Sequence, residues 1–396
     1  MAELFDKVVN ADSLYDSFLS CKKNSIWKES VQRFESNILL NILDLRRKLK
    51  DFTYKQKPFK NFILSERGHT RFIKSLHISD RVVQKSLCRI LIPIVRKHLI
   101  YDNGASLKGK GISFTRKRLK EHLQKFYRKN KNNGYILLAD FSKFFDNIPH
   151  EKLFEFYSKY VGYDKEFMNL ISLFINSFKE NISYKTDEEI EDMKNRPFNM
   201  LEHNNKLQEL KKNGYKLIEQ IFTDRGVGIG SELSQISGVG YVTFLDSYIK
   251  TVKSVKLYGR YMDDFYIIHN DKRFLKQLLD ELKVIVRNNG LFLSENKCKI
   301  IPLRKEFVFL KNRYSYTRTG KVICRLNHET IIRHGRKIKK LLKFYSENKI
   351  TLQEIINIHK GCIGTYKRCN SYKMINNLKS RCNNLYKEIK NVYRIR

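Results

Sequence analysis

Three aspartates stand where carboxylates could bind metal ions. Asp140 ends the apolar run Tyr135–Ala139, which is long enough for a buried strand and too short for a helix. Asp263 and Asp264 occupy the turn of a predicted strand–turn–strand, and Asp146 is a rival ligand near Asp140. Carboxylates at the ends of neighbouring strands repel one another unless cations lie between them, and hard oxygen ligands suit Mg²⁺ that carries substrate phosphates. Two such ions about 3.5–4 Å apart would support an in-line phosphoryl displacement.

Apolar periodicity and turn residues predict the elements that must position these acids. The short apolar run before the first acid and the extended segments around the acidic pair indicate a sheet, and the longer periodic segments indicate helices that cover it. The predicted elements are helices at about 1–60, 80–98, 150–178 and 272–288, a hairpin around 62–74, a polar insertion at about 180–220, and a glycine-rich loop at 226–231 that leads into a helix to about 250.

The charge of the chain indicates a polyanionic partner. Its 396 residues contain 78 Lys and Arg against 41 Asp and Glu, a formal net charge of +37. Self-repulsion of this size is relieved by nucleic acid. Membrane binding is the competing explanation, but no apolar run approaches the ~20 residues of a spanning helix. The N-terminus lacks the basic start of a signal peptide. We therefore expect a cytoplasmic protein that binds no membrane.

Two basic segments are candidates for contact with phosphates. In residues 102–132, glycines and aromatic residues are interleaved with many basic ones, including Lys108 and Lys110. A solvated charged face is the alternative, but this interleaving favours a phosphate-facing surface. The last 67 residues carry 17 basic and 3 acidic side chains, with Lys337, Lys339 and Lys340 on one predicted helix. Basic helices there are expected to track a duplex.

The seven cysteines are too scattered for a secreted disulfide framework, so we expect reduced thiols. Four possible zinc ligands do lie within 24 residues: His359, Cys362, Cys369 and Cys382. Their spacing lacks the paired C-x₂-C arrangement of common zinc sites. Buried cysteines on helices are the commoner explanation, and the sequence leaves the zinc question open.

Several motifs, in the correct order, resemble those of reverse transcriptases, especially the prokaryotic members. Tyr261-Met262-Asp263-Asp264 is similar to the YxDD box of that family, and the matching blocks cover about residues 60–315. Ordered blocks are far more specific than any one of them. The other blocks are Arg71–Lys74 and Asp80–Gln84 of the fingers, Ala139–His150 of the first metal-binding segment, Leu291–Lys297 of the palm, and Phe307–Leu310 of the primer grip.

The resemblance implies an α+β fold shaped as a right hand, with fingers, an antiparallel-sheet palm and a helical thumb. The implied division is an N-terminal helical extension at 1–60 and fingers at 61–134. The palm, with part of the fingers and the insertion, would occupy 135–315, and a basic thumb would occupy 316–396.

The resemblance also implies a role for each catalytic residue. Asp140 and Asp263 would bridge two Mg²⁺ ions, with Mn²⁺ as an alternative, and Asp264 would complete the site. The backbone carbonyl of Phe141 would be a further ligand. Lys297 matches the general acid for pyrophosphate departure, although a surface lysine at a helix–strand junction is also ordinary.

Further matches concern the nucleotide and the nucleic acid. Arg71 would grip the triphosphate, a task suited to a guanidinium, and Lys74 belongs to the same block. Phe145 matches the steric gate that excludes a ribose 2′-hydroxyl, with core packing as the alternative. The remaining matched positions are Ile229 and Gly230 beside the nascent pair, and Phe309 and Leu310 in the primer grip.

The implied function is an RNA-directed DNA polymerase that uses deoxynucleoside triphosphates and an RNA template to make a DNA product. The sequence Gly228-Ile229-Gly230, followed by Ser234-Gln235, departs from the usual Pro-Gln-Gly and Ser-Pro. It resembles antiphage-defence enzymes, which would copy a dedicated noncoding RNA, and the mutagenic enzymes of diversity-generating retroelements. A catalytically relict RNA-binding protein is the non-enzymatic alternative, and the retained aspartates argue against it.

Overall fold

The computed structural model describes residues 3–66, 69–215 and 221–380, together with Asn383. Most of the described residues are helical. The helices are α1 Leu4–Val9, α2 Ala11–Lys22, α3 Glu29–Ser36, α4 Ile38–Lys50, α5 Ile78–Arg96, α6 Ile112–Asn130, α7 His150–Val161, α8 Lys165–Asn176, α9 Asp187–Asp192, α10 Met200–Lys212, α11 Glu232–Tyr241, α12 Thr243–Ser247, α13 Lys272–Asn288, α14 His328–Ser346 and α15 Leu352–Tyr366. Among these helices, none is both long and apolar enough to cross a membrane.

The strands form three small sheets. They are β1 Lys60–Glu66, β2 His69–Ser75, β3 Tyr135–Ala139, β4 Tyr258–Tyr261, β5 Asp264–His269, β6 Lys299–Pro302, β7 Phe307–Phe309, β8 Asn312–Tyr316 and β9 Val322–Leu326. β1 and β2 form an antiparallel hairpin, as the sequence predicts. The central sheet has the order β4-β5-β3-β6, with β3 antiparallel to β6, and the third sheet has the order β7-β8-β9. Mixed helix and sheet content confirms the α+β class, whereas the fingers, palm and thumb boundaries stay predictions.

The chain divides into two compact units. The first unit consists of residues 1–115, 139–265 and 276–298, and the second consists of 116–138, 266–275 and 299–396. In the first unit, α2 packs along α5, and buried apolar residues such as Leu14, Phe18, Val83 and Leu87 fill the space between helices. The N-terminal helices are therefore part of the first unit's core, because their apolar faces are buried against α5 and against one another.

One predicted helix is broken in the structure. The sequence predicts a single helix over 150–178, but α7 ends before Gly162 and α8 begins after Asp164. The Asp164 carboxylate accepts hydrogen bonds from the Phe167 amide, which caps α8, and from the Phe5 amide of α1, both at 2.9 Å. An N-cap competes directly with helix continuation, so this aspartate stops the helix and joins it to the N-terminal segment.

Candidate active site

A tight turn joins β4 to β5 at the acidic pair. β4 ends at Tyr261 and β5 begins at Asp264, so Met262 and Asp263 form the turn. Met262 has a φ of 56°, in the left-handed region that residues with a side chain rarely adopt. Such a conformation persists only where surrounding contacts fix it. The structure therefore confirms the predicted strand–turn–strand, but Asp264, predicted in the turn, is the first residue of β5.

Asp140 lies at the end of β3 and is held by the segment that follows α13. Its backbone carbonyl accepts a hydrogen bond from the Ser294 amide at 2.8 Å, and the Ser142 amide donates to the Phe292 carbonyl at the same distance. The Asp140 carboxylate is buried, and its Oδ2 atom pairs with the Lys297 ammonium. Its Oδ1 atom is also buried and accepts no hydrogen bond from the described residues. One carboxylate oxygen thus lacks a partner.

Asp140, Asp263 and Lys297 influence one another electrostatically. Burial and the negative charge of Asp140 raise the pKa of Asp263 to about 6. Burial acts to lower the pKa of Lys297, but the hydrogen bond to Asp140 and the charges of Asp264 and Asp263 raise it above its usual value. The structure therefore brings together the four predicted catalytic residues, Asp140, Asp263, Asp264 and Lys297, within the first unit.

The chemistry of this site fits a hard divalent cation. Within the described ranges, no three His, Cys, Asp or Glu side chains converge as a ready-made metal site. The donors are nevertheless suitable. The Oδ1 atom of Asp140 has no hydrogen-bond partner among the described residues, and the charge of Asp140 disfavours the ionised form of Asp263. A cation would relieve that repulsion. Phe141 is buried against Phe144 and Phe265, and the role of its carbonyl stays a prediction.

Phe145 lies beside the catalytic turn, next to a helix position without a side chain. Its ring meets Phe144 edge to face, with centroids 5.2 Å apart. A Cβ atom placed on Gly238 of α11 would come within 3.0 Å of both rings and 3.3 Å of the Met262 sulfur. The bare glycine therefore allows the Phe145 ring and the turn to approach the same point of α11. The role of Phe145 as a gate against the ribose 2′-hydroxyl stays a prediction.

The short 3₁₀ helix Phe144–Asn147, which contains Phe145, is tied to the insertion that contains α9 and α10. The Asn147 side chain donates to the Phe198 carbonyl at 3.0 Å and accepts from the Phe198 amide at 2.7 Å. The Asp146 carboxylate accepts from the Met200 amide at 3.1 Å. Burial raises the pKa of Asp146 to about 6. The rival metal ligand thus caps the start of α10.

The glycine-rich loop runs alongside the hairpin strand β2. The Lys74 amide donates to the Ile229 carbonyl at 2.9 Å, and a Cβ atom on Gly230 would lie 2.6 Å from the Lys74 carbonyl. Gly230 also has a φ of 136°, so it is required here for both space and backbone conformation. Ile229 is partly buried, and Arg71 of β2 is exposed. The structure thus brings the strand that carries Arg71 next to Ile229.

The Lys74 side chain already has protein partners. Its ammonium donates to the Phe178 carbonyl at 3.0 Å, pairs with Glu180, and lies over the Phe59 ring at 5.3 Å. Only 3% of Lys74 is exposed. His203 lies 3.7 Å from the other oxygen of Glu180. Through these contacts the Lys74 side chain joins β2 to the insertion. Its role as a nucleotide ligand stays a prediction.

The predicted nucleic-acid residues fall in both units. In the first unit Lys108 is exposed, whereas the Lys110 ammonium folds back onto the Tyr101 carbonyl at 2.6 Å. In the second unit Phe309 is buried against Tyr266, and Leu310 begins the turn between β7 and β8 with a φ of 44°. The basic residues on α14 that point to solvent are Arg336, Lys337, Lys339, Lys340 and Lys343.

The predicted zinc ligands do not converge among the described residues. His359 is hydrogen-bonded to His334 at 3.0 Å, on the facing helix α14. Cys369 lies 4.0 Å from Cys324, and both sulfurs accept from the Asn312 amide. Cys382 lies outside the described residues. The described cysteines are free thiols, as predicted.

The sequence did not predict one buried ion pair next to the catalytic turn. Arg260 of β4 is fully buried, and its guanidinium contacts Asp246 of α12. A basic residue in a run that is otherwise mostly apolar and aromatic was the available signal, because a charged side chain is rarely buried without a specific partner.

Comparison with known families agrees with this geometry. The family described as "Reverse transcriptase (RNA-dependent DNA polymerase)" matches residues 55–312, which include Asp140, Asp263, Asp264 and Lys297. No curated protein sequence matches the chain.

Solved structures of telomerase are similar to parts of the chain. Apo telomerase from Candida tropicalis is 15% identical with a TM-score of 0.44, over 69% of this chain and 49% of that one. Its form truncated from the C-terminal domain is 13% identical with a TM-score of 0.47, over 73% and 60%. Telomerase from Candida albicans, in complex with a fragment of telomeric RNA, is 14% identical with a TM-score of 0.45, over 87% and 58%. The chain thus spans about half of the first of these proteins.

Proposed function

We propose that the chain, which belongs to the reverse transcriptase family, is an RNA-directed DNA polymerase that extends DNA by two-metal nucleotidyl transfer at Asp140 and Asp263. One observation carries the proposal. Two carboxylates from different strands meet beside Lys297, with one buried oxygen of Asp140 lacking a hydrogen-bond partner among the described residues. Clustered acids of this kind destabilise a site that has no cation to bind.

Each residue of the site has a distinct task in this mechanism. Asp140 and Asp263 would hold the ions, with Asp264 and the Phe141 carbonyl as further ligands. The bound ions would activate the primer 3′-hydroxyl and neutralise charge on the triphosphate. Lys297 keeps an ammonium beside Asp140, and from there it can give a proton to the departing pyrophosphate.

Replacing one carboxylate tests the proposal. Asp263→Asn should reduce incorporation on a primed RNA template by orders of magnitude, because an uncharged isostere holds the ions poorly. Thermal stability and RNA affinity should remain near those of the wild type. Asp280→Asn is the matched control, since Asp280 is exposed on α13 and pairs only with Lys283 at 3.1 Å among the described residues. Undiminished incorporation by Asp263→Asn would refute the mechanism.

The template proposed for this polymerase is a dedicated noncoding RNA, copied in the bacterial cytoplasm during antiphage defence. The resemblance of the segment around Ile229 to defence-associated enzymes supports this role. A net charge of +37 supports a large polyanionic partner. Sequencing the nucleic acid that copurifies with the protein tests it directly. One abundant structured RNA, with DNA complementary to it, is the expected result, and a random sample of cellular RNA would contradict the proposal.

The second candidate is mutagenic synthesis in a diversity-generating retroelement. Ile229 favours it, because an apolar side chain beside the nascent pair cannot contribute the hydrogen bonds of the usual glutamine. The same sequencing experiment separates the candidates. Complementary DNA with substitutions concentrated at template adenines would support diversification, whereas faithful copies would support the defence role.

A further inference from the structure

Arg260 uses its whole guanidinium to join three elements around the catalytic turn. Nε and Nη2 donate to the two oxygens of Asp246 at 2.9 and 2.6 Å. Nη2 also donates to the Val239 carbonyl of α11 at 3.0 Å, and Nη1 donates to the Met262 carbonyl at 3.1 Å. The Tyr258 hydroxyl donates to Asp246 at 2.5 Å. This fixed fork suits an arginine and no other side chain.

The bond to Met262 acts on the peptide that leads into Asp263. Met262 has the left-handed φ of 56°, and its carbonyl belongs to the same peptide group as the Asp263 amide. A donor fixed on that carbonyl therefore fixes the orientation of the peptide and, through it, the direction of the Asp263 carboxylate. Because Arg260 is fully buried and Asp246 is 1% exposed, water does not compete for the ion pair that holds the guanidinium in place.

The ion pair is poorly explained by stability alone. A buried ion pair can often be replaced by apolar residues without loss of stability, although removing one partner is harmful. Three of its hydrogen bonds leave the pair, to Val239, Met262 and Tyr258. The bonds to Met262 and Val239 hold the turn and α11, the helix whose Gly238 lies against the Phe145 ring and the Met262 sulfur.

We infer that Arg260, aligned by Asp246, is a positioning residue that sets the orientation of Asp263 for catalysis. The inference rests on the proposed two-metal function of Asp263. Arg260 contacts neither substrate nor metal in this account. It acts through the Met262 carbonyl, so its loss should lower the rate of the chemical step more than the affinity for nucleotide.

Two variants separate positioning from stability. In the triple variant Arg260→Met, Asp246→Leu, Tyr258→Phe, no buried charge or hydroxyl of the pair is left without a partner, so the melting temperature should stay near that of the wild type. Its kcat should still fall at least tenfold, because the Met262 carbonyl loses its hydrogen bond from a charged donor. Arg260→Lys keeps the charge beside Asp246 but loses the fork, and its kcat should also fall at least tenfold with little change in nucleotide KM.

A matched control and a metal-binding readout complete the test. Arg225 is also buried and joins a carboxylate, Asp224, to a carbonyl, Met193, so Arg225→Lys should retain kcat. Titration with Mn²⁺, with the free ion measured by electron paramagnetic resonance, gives the metal affinity of each variant. Arg260→Lys should bind Mn²⁺ several-fold more weakly than Arg225→Lys. If Arg260→Lys, or a folded triple variant, keeps the wild-type kcat and Mn²⁺ affinity, the inference about Arg260 is overturned and the proposed function is not affected. Absence of metal-dependent incorporation by the wild type would overturn the proposed function and this inference with it.

Discussion

Replacing Asp146 with asparagine should stabilise the protein at neutral and alkaline pH. The raised pKa of about 6, against the ordinary 3.8, means that folding favours the protonated carboxyl. A difference of about 2 pH units corresponds to about 3 kcal/mol. This penalty on the folded state is absent below pH 3.8, grows between pH 3.8 and 6, and is complete above pH 6. Asparagine keeps an oxygen for the Met200 amide without the charge, so it removes the penalty.

Denaturant unfolding at a series of pH values measures this effect. The unfolding free energy of Asp146→Asn minus that of the wild type should be near zero at pH 4 and approach 3 kcal/mol at pH 7.5. Asp263 titrates in the same window but is present in both proteins, so its contribution cancels in the difference. Asp280→Asn, the same substitution at an exposed position, serves as the control. A difference in unfolding free energy that does not change with pH for Asp146→Asn would refute the reasoning. If Asp146→Asn loses metal-dependent activity, Asp146 would be a metal ligand after all.

Three further predictions concern nucleotide choice and nucleic-acid binding. Phe145→Ala should admit ribonucleotides, and unchanged discrimination in the folded variant would leave Phe145 as core packing. Replacing Lys337, Lys339 and Lys340 with Gln should lower the log–log salt slope of binding by about 0.9 for each lost phosphate contact on duplex B-DNA; an unaltered slope would mean that these lysines only solvate α14. Ile229→Gln should reduce misincorporation on a defined template, and identical error spectra would remove the main support for mutagenic synthesis.

The parts of the site that the sequence predicted are encoded locally. An apolar run that ends in Asp140 indicates a buried strand that ends in an acid, and the extended segments on both sides of Asp263 indicate a strand–turn–strand. Both features are confirmed, since neighbouring residues are sufficient to form them. Gly162 and Asp164 were also available as signals of a helix break, but the prediction of one helix over 150–178 ignored them.

The remaining contacts join residues that are far apart in the sequence. Lys74 pairs with Glu180, and Asp146 bonds to Met200, so neither contact leaves a local pattern. Lys74 was predicted as a nucleotide ligand because its block lies beside Arg71, and a single sequence does not show which lysines are buried. Charged groups are the hardest to place in this way, because one distant partner decides between burial and exposure.

The hydrogen bonds between the 3₁₀ helix Phe144–Asn147 and residues 198–200 limit how the sequence of this chain can vary in length. Asn147 and Asp146 make three bonds to Phe198 and Met200, and all three depend on the exact register of that short stretch. A single residue inserted between Phe198 and Met200 would break these bonds and release the segment that carries Phe145, the predicted steric gate. Residues after Lys212, where α10 ends, make none of these three bonds. We therefore expect length changes among homologous chains to accumulate beyond Lys212, and selection to preserve the spacing from Phe198 to Met200.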